Sequence, residues 1–268
     1  MPTIVYDHQI FWRQKYGGIS RYLYEVATKV SNANDFQVKI LALAYTNEYL
    51  KECPKKLIIG LPVPRFPGIQ IQKIIGKIND KFAKSWFQNN TPDIVHETYY
   101  HSDRLAPKKS KIVVTVHDMI HEKLSQFVRR EMFGMDRTSQ IKKQAVTRAD
   151  KIICVSENTK KDLIEILDIN PEKVNVVYHG PSLKLTTNSQ NNLAEFKPYI
   201  LYVGERISGH KNFRLFLQAY ANSTQLKKNF NLVCFGGGSL SKAELKLIQE
   251  LGLSPEKIFQ ISGNDTTL

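Results

Sequence analysis

A chain of 268 residues is long enough for one full domain and part of a second. With 42% hydrophobic and 24% charged residues it sits near the globular average, which argues against disorder, and no run approaches the ~20 apolar residues that span a bilayer. The net charge of +13 attracts polyanions, but no Arg-rich arm, zinc spacing or aromatic RNA-binding signature goes with it, so phosphate-rich ligands or an anionic membrane surface are expected ahead of nucleic acid.

The first part of the chain alternates short β-branched runs with helical patterns. The runs are TIVYD (3 to 7), FQVKILA (36 to 42), DIVHE (93 to 97), KIVVTVH (111 to 117), KIICVS (151 to 156) and KVNVVYH (173 to 179). Continuous apolar strands separated by helices predict a doubly wound α/β domain with a parallel sheet. Its ligands belong at the carboxyl ends of the strands.

The loop after the first run leads through Gly17 and Gly18 to a helix with Ile19, Tyr22, Leu23, Val26, Ala27 and Val30 on one stripe. Two glycines before a helix start allow a phosphate to approach free amides, or make a tight turn that binds nothing. Farther on, Ile71, Ile74, Ile75, Ile78 and Phe82 share one helical face, and Lys73, Lys77, Lys81 and Lys84 share another. The apolar face is expected to pack on its own domain, the alternative being an anionic membrane surface.

After KIVVTVH, the residues His117, Asp118, His121 and Glu122 cluster at a strand-to-loop transition. Two histidines four apart suit a metal only on a helix, and no third ligand has matching spacing, so a hydrogen-bonding or structural role is expected and no metal. Cys53, Cys154 and Cys234 are odd in number and far apart, and they read as reduced core residues. With no basic-then-apolar leader pattern at the N-terminus, a cytoplasmic location is the expectation.

Residues 181 to 197 turn polar and rich in Asn, Ser and Thr, which reads as a linker between a first domain, 1 to 180, and a second, 198 to 268. The alternation restarts with YILYVG (199 to 204), a helix carrying Phe213, Phe216, Leu217 and Tyr220, then NLVCF (231 to 235) and KIFQI (257 to 261). Ser241 and Glu244 form a capping box for the last helix, and Gly252 stands where its C-terminal cap belongs. About three strands are few for a sheet, so this second domain is expected to be incomplete.

Two of its loops carry chemistry. In GERISGHKNF the cations Arg206, His210 and Lys211 meet the positive end of a helix, and they repel one another unless an anion such as a diphosphate sits among them; the alternative is a solvated charged turn. The triplet Gly236, Gly237 and Gly238 lets a nucleoside approach bare backbone, but it has neither dinucleotide nor P-loop spacing, so neither NAD nor ATP is expected.

Taken in order, YGGISRY (16 to 22), VVTVHDMIHE (113 to 122), KIICVSENTKKDLI (151 to 164), VVYHG (176 to 180), YVGERISGHKNF (202 to 213) and FGGGSLSKAE (235 to 244) resemble the retaining glycosyltransferases of family 4, which have GT-B architecture with two Rossmann-like domains. The resemblance implies transfer of a hexose, mannose-like or glucose-like, from a nucleotide-diphosphate sugar to a cell-surface polysaccharide or glycolipid with retention of configuration. It implies His117 facing the transferred sugar, Arg206 and Lys211 on the donor diphosphate, Gly17 and Gly18 beside it, and Gly236 to Gly238 with Ile261 and Gly263 around the nucleoside. No cofactor beyond the donor is implied. The family's paired glutamates are not found before Leu268, and Glu244 and Glu250 read as solvated residues of the capped helix, so the chain is expected to be truncated and weakly active alone. Alternatives on the same scaffold are a sugar epimerase and a noncatalytic nucleotide-sugar-binding subunit.

Overall fold

The computed structural model describes residues 1 to 33, 35 to 65, 69 to 124, 137 to 181, 193 to 206 and 209 to 262. The chain forms two compact units, one holding Met1–Lys123 and the stretch that ends at Gly180, the other holding the chain from Pro181 onward.

The first unit is a parallel sheet made of β1 (Thr3–Tyr6), β2 (Gln37–Tyr45), β3 (Ile58–Pro62), β4 (Ile94–Glu97), β5 (Lys111–Val116), β6 (Lys151–Cys154) and β7 (Val174–Val176). Their order is β3-β2-β1-β4-β5-β6-β7, so the winding reverses between β1 and β4. The helices are α1 (Gln9–Arg13), α2 (Gly18–Asn32), α3 (Glu48–Lys51), α4 (Ile69–Asn89), α5 (Ile120–Lys123), α6 (Arg137–Arg148) and α7 (Glu157–Leu167). Layers on both faces explain the unbroken apolar strands, and Val5, Ile112, Val114, Val116, Ile152 and Cys154 have no exposed surface.

Strand β3 is an addition to the sequence reading, because Gly60 and Pro62 look like turn residues. Pro62 is tolerated on an edge strand. Gly60 is required: β2 is irregular between Leu41 and Ala44, and a side chain at Gly60, whose φ is +147°, would collide with the Ala42 carbonyl.

The apolar face expected of α4 is only partly used. Ile75 is buried and Phe82 half-buried, but Ile71, Ile74 and Ile78 are 40%, 55% and 48% exposed. The helix instead buries Gly76, Asn79, Ala83 and Phe87. Small residues allow this close seating, with Gly76 under the Trp12 ring, and Asn79 bonds both the N–H and the C=O of Ala44 at the irregular part of β2. Lys73, Lys77, Lys81 and Lys84 are all exposed. Among the described residues no helix is long and apolar enough to cross a membrane.

In the second unit β8 (Tyr199–Val203), β9 (Asn231–Phe235) and β10 (Ile258–Ile261) form a parallel sheet of order β10-β9-β8. Helices α8 (Phe213–Asn222), α9 (Thr224–Asn229) and α10 (Lys242–Glu250) accompany it, and Phe213, Leu217, Tyr220, Leu232, Cys234 and Ile248 make its core. Ser241 and Glu244 close the capping box on α10, and Gly252 follows that helix with φ +61°. All three cysteines are buried and free.

Candidate functional site

At the reversal point of the first sheet, Asp7 ties the ends of β1 and β4 together. Its Oδ1 accepts from the Thr98 hydroxyl at 2.6 Å, the Thr98 N–H at 2.8 Å and the Gln9 N–H at 3.2 Å. Beside it, Asp80 of α4 meets His8 Nε2 at 3.0 Å and His101 Nε2 at 3.4 Å. Burial pushes the Asp80 carboxyl up, but the hydrogen bonds and charge of the two histidines prevail and hold it well below the usual carboxylate range. His101 shifts upward, its bonds to Asp80 and to the Asp103 carbonyl outweighing burial. The sequence gives no local sign of this cluster, since Asp80 lies 72 residues from His8.

Gly17 caps α2 with an extended backbone. A side chain there would strike the Gln14 amide, and Gln14 Oε1 already accepts the Ser20 N–H at 3.2 Å. One of the amides expected to await a phosphate is therefore taken. Gly18 faces open space.

His117 follows β5 as expected, and the groups around it are fixed. Asp118 Oδ1 accepts the Ile120 N–H at 3.1 Å. Glu122 pairs with Lys142 of α6 at 2.8 Å, both side chains almost wholly buried, and also accepts from Ser139. Lys142 further donates to the Asp118 carbonyl at 2.9 Å, and the Tyr100 side chain bonds the His117 backbone. Asp118 and Glu122 thus hold the loop that carries His117. The imidazole Nε2 is enclosed without a hydrogen-bond partner. Burial, then the charges of His179 and Lys142 against that of Asp118, push the ring down to about 4, so it is neutral at physiological pH.

In the second unit Arg206 is not a solvated cation. Its side chain is 1% exposed, and Nε donates to Glu244 at 2.7 Å. Its terminal nitrogens donate to the carbonyls of Gly236 at 2.6 Å, Gly238 at 2.7 Å and Ser239 at 3.3 Å. The cations call for an anion, which the sequence leaves open to a diphosphate; at Arg206 the anion is the chain's own Glu244. Glu244 is correspondingly not a solvated residue: burial raises its carboxyl, but bonds from Ser241 and Arg206 bring it below its ordinary value. Glu250 does fit the solvated reading, being exposed and near Lys246.

The three glycines adopt φ of +82°, +70° and +73°, a left-handed run that side chains disfavour. Gly204 N–H bonds the Phe235 carbonyl and Gly236 N–H bonds the Ile261 carbonyl, so the ends of β8, β9 and β10 converge on the turn. Lys211 stands over Gly204, where a β-carbon would lie 2.8 Å from its Nζ, and Gly204 has φ +121°. Among the described residues this exposed ammonium has no carboxylate partner. Gly263 lies outside the described residues.

Comparison with known proteins follows the same division. The model of Glycosyltransferase Family 4 matches residues 16–184, and that of Glycosyl transferases group 1 matches residues 184–268. An N-acetylgalactosamine-N,N'-diacetylbacillosaminyl-diphospho-undecaprenol 4-alpha-N-acetylgalactosaminyltransferase of Campylobacter jejuni is 34% identical over 112 residues, 41% of this chain. The match spans 29% of that curated relative's length. Among solved structures, WaaG, a glycosyltransferase involved in lipopolysaccharide biosynthesis, aligns with a TM-score of 0.66 at 17% identity over 98% of this chain and 70% of its own. The UDP-GlcNAc 2-epimerase from Neisseria meningitidis aligns at 0.61 and 13% identity over 100% and 74%. At such identities the likeness is one of fold.

Proposed function

The chain belongs to Glycosyltransferase Family 4, and from that premise we propose that it moves a hexose from a nucleotide-diphosphate sugar to a polysaccharide or lipid-linked acceptor with retention of configuration. The observation that carries the reading is the ammonium of Lys211 above Gly204, without a carboxylate partner among the described residues, next to a left-handed glycine turn at the converging strand ends. An exposed cation over bare backbone suits a diphosphate, and the turn suits the nucleoside it carries. In the proposed reaction the bond from the anomeric carbon to the diphosphate breaks while the acceptor oxygen bonds that carbon on the same face. The acceptor proton passes to the leaving phosphate. Lys211 stabilises the negative charge that grows there; for the first unit, the proposed role of neutral His117 is a hydrogen bond to a sugar hydroxyl. Arg206 reaches the donor only by releasing Glu244, so its proposed part is to hold the glycine turn in shape.

A panel of UDP-, GDP- and ADP-hexoses assayed by calorimetry and by product analysis tests this. One donor is expected to bind, to yield weak transfer with an acceptor, and to do so in EDTA. Lys211→Met is expected to lower transfer by about a hundredfold to a thousandfold. Turnover of the nucleotide sugar without any acceptor would replace transfer with epimerisation, and donor binding with no chemistry under any acceptor would leave a binding subunit.

The acceptor side is proposed to work at an anionic membrane on the cytoplasmic face. The exposed arc of α4 carries the Ile71, Ile74 and Ile78 strip beside Lys73, Lys77, Lys81 and Lys84. Each lysine near such a surface contributes about 1 kcal/mol, so Lys77→Gln with Lys81→Gln is expected to weaken co-sedimentation with phosphatidylglycerol vesicles by about thirtyfold. Equal binding of wild type to phosphatidylcholine and phosphatidylglycerol vesicles would reject it.

A further inference from the structure

His117 does not stand alone. Tyr22 of α2 and His179, just past β7, are stacked with ring centres 4.4 Å apart and planes 25° from parallel. His117 stands edge-on to both, at 5.4 Å and 85° to Tyr22 and at 5.8 Å and 60° to His179. The inner ring of the stack is anchored: Tyr22 hydrogen-bonds the Thr115 hydroxyl, which meets buried His96 Nε2 at 2.9 Å, and His96 lies against Tyr6 with ring centres 5.1 Å apart. The outer ring, His179, is exposed. Two chain segments distant in sequence thus converge on the His117 imidazole.

We propose that Tyr22 and His179 are positioning residues, a two-ring wall that fixes the orientation of His117 and keeps its enclosed Nε2 edge dry. The inference rests on the reading that His117 meets the transferred sugar. A charged His117 would carry an N–H at Nε2 with no acceptor, and burying such a group is costly. A dry wall therefore favours the neutral ring, which can exchange a single hydrogen bond with a sugar hydroxyl. The other charged or titratable groups around the ring are Asp118 on its own loop, Lys142 of α6, Tyr100 past β4, and His96 of β4, itself pushed down to about 4 by burial and by His117.

The test has two arms. In the first, the full chain is labelled at its histidines and the His117 signal, assigned with His117→Gln, is titrated by NMR. Wild type is expected to titrate near 4. His179→Ala, at an exposed position that leaves the core intact, is expected to raise the midpoint by about one pH unit, because solvent reaches the ring and the charge of His179 is lost, a loss that His179→Phe shares. His179→Phe keeps a flat ring on Tyr22 and is expected to stay closer to wild type than alanine does. In the second arm, kcat for transfer falls about tenfold or more in His179→Ala with the donor KM nearly unchanged, and His179→Phe restores most of it. If the alanine and phenylalanine variants shift the titration equally, or neither shifts it, the wall does not exist. The titration arm needs no substrate, so it decides the proposal even if wild type transfers no sugar, an outcome that would count against the functional reading instead.

Discussion

Arg206→Met is expected to cost the second unit about 3 to 5 kcal/mol, the loss typical of removing one member of a buried ion pair. Three consequences combine. Glu244, whose side chain is 13% exposed, loses its guanidinium, although Ser241 still bonds it through the capping box. The carbonyls of Gly236, Gly238 and Ser239 lose a donor they share, and a turn with three successive positive φ values loses what holds it. Arg206→Lys keeps the charge but not the fork that reaches several carbonyls, so about half the loss should remain. The double variant Arg206→Met with Glu244→Leu should recover part of the stability, because no buried charge is then left alone. Both tryptophans, Trp12 and Trp86, are in the first unit. Unfolding of the second is therefore followed by amide hydrogen exchange in β8 to β10. Lys211→Met, at an exposed position, is expected to leave that exchange within about 0.5 kcal/mol of wild type while lowering transfer by about a hundredfold or more. If Arg206→Met exchanged like wild type and lost only donor affinity, Arg206 would be a ligand group and not a clamp.

The contrast between Arg206 and Lys211 shows what a sequence of this kind carries. Strand positions were legible because burial on both faces demands unbroken apolar runs, and the capping box was legible because both its members lie within one turn. That Glu244 also serves Arg206, 38 residues away, has no local signal. The cation excess around residue 206 was read correctly as needing an anion, but electrostatics alone cannot say whether the anion is a ligand or a side chain. The same holds at the β1 and β4 strand ends, where Asp80 arrives from a helix to meet His8 and His101. On α4 the period was plain and the buried arc was not: side-chain volume argued for the isoleucines, but the contact is made by Gly76, Asn79 and Ala83, which let the helix sit close and give Ala44 its hydrogen bonds. Gly60 hid β3 for a related reason, being selected there by the approach of Ala42 and not by a turn.

Lys142→Met should produce the largest loss in the first unit. Lys142 and Glu122 have side chains only 1% and 3% exposed, so truncating the lysine leaves a carboxylate in the interior that still accepts from Ser139 but has lost its counter-charge, at a cost of about 3 to 5 kcal/mol. The same change removes the bond to the Asp118 carbonyl, one of the ties on the loop that carries His117; Tyr100 supplies another. Stability and catalysis therefore fail for different reasons, and a second substitution separates them. With Glu122→Leu added to Lys142→Met, no unpaired charge remains, and urea denaturation followed by tryptophan fluorescence should return most of the lost stability. The Asp118 carbonyl still lacks its donor, so with His117 in its proposed role kcat should stay on the order of tenfold down, since a misplacement of about 1 Å costs up to a hundredfold. Recovery of kcat together with stability in the double variant would mean that the ammonium matters only as a counter-charge, and that the loop keeps His117 in place without it.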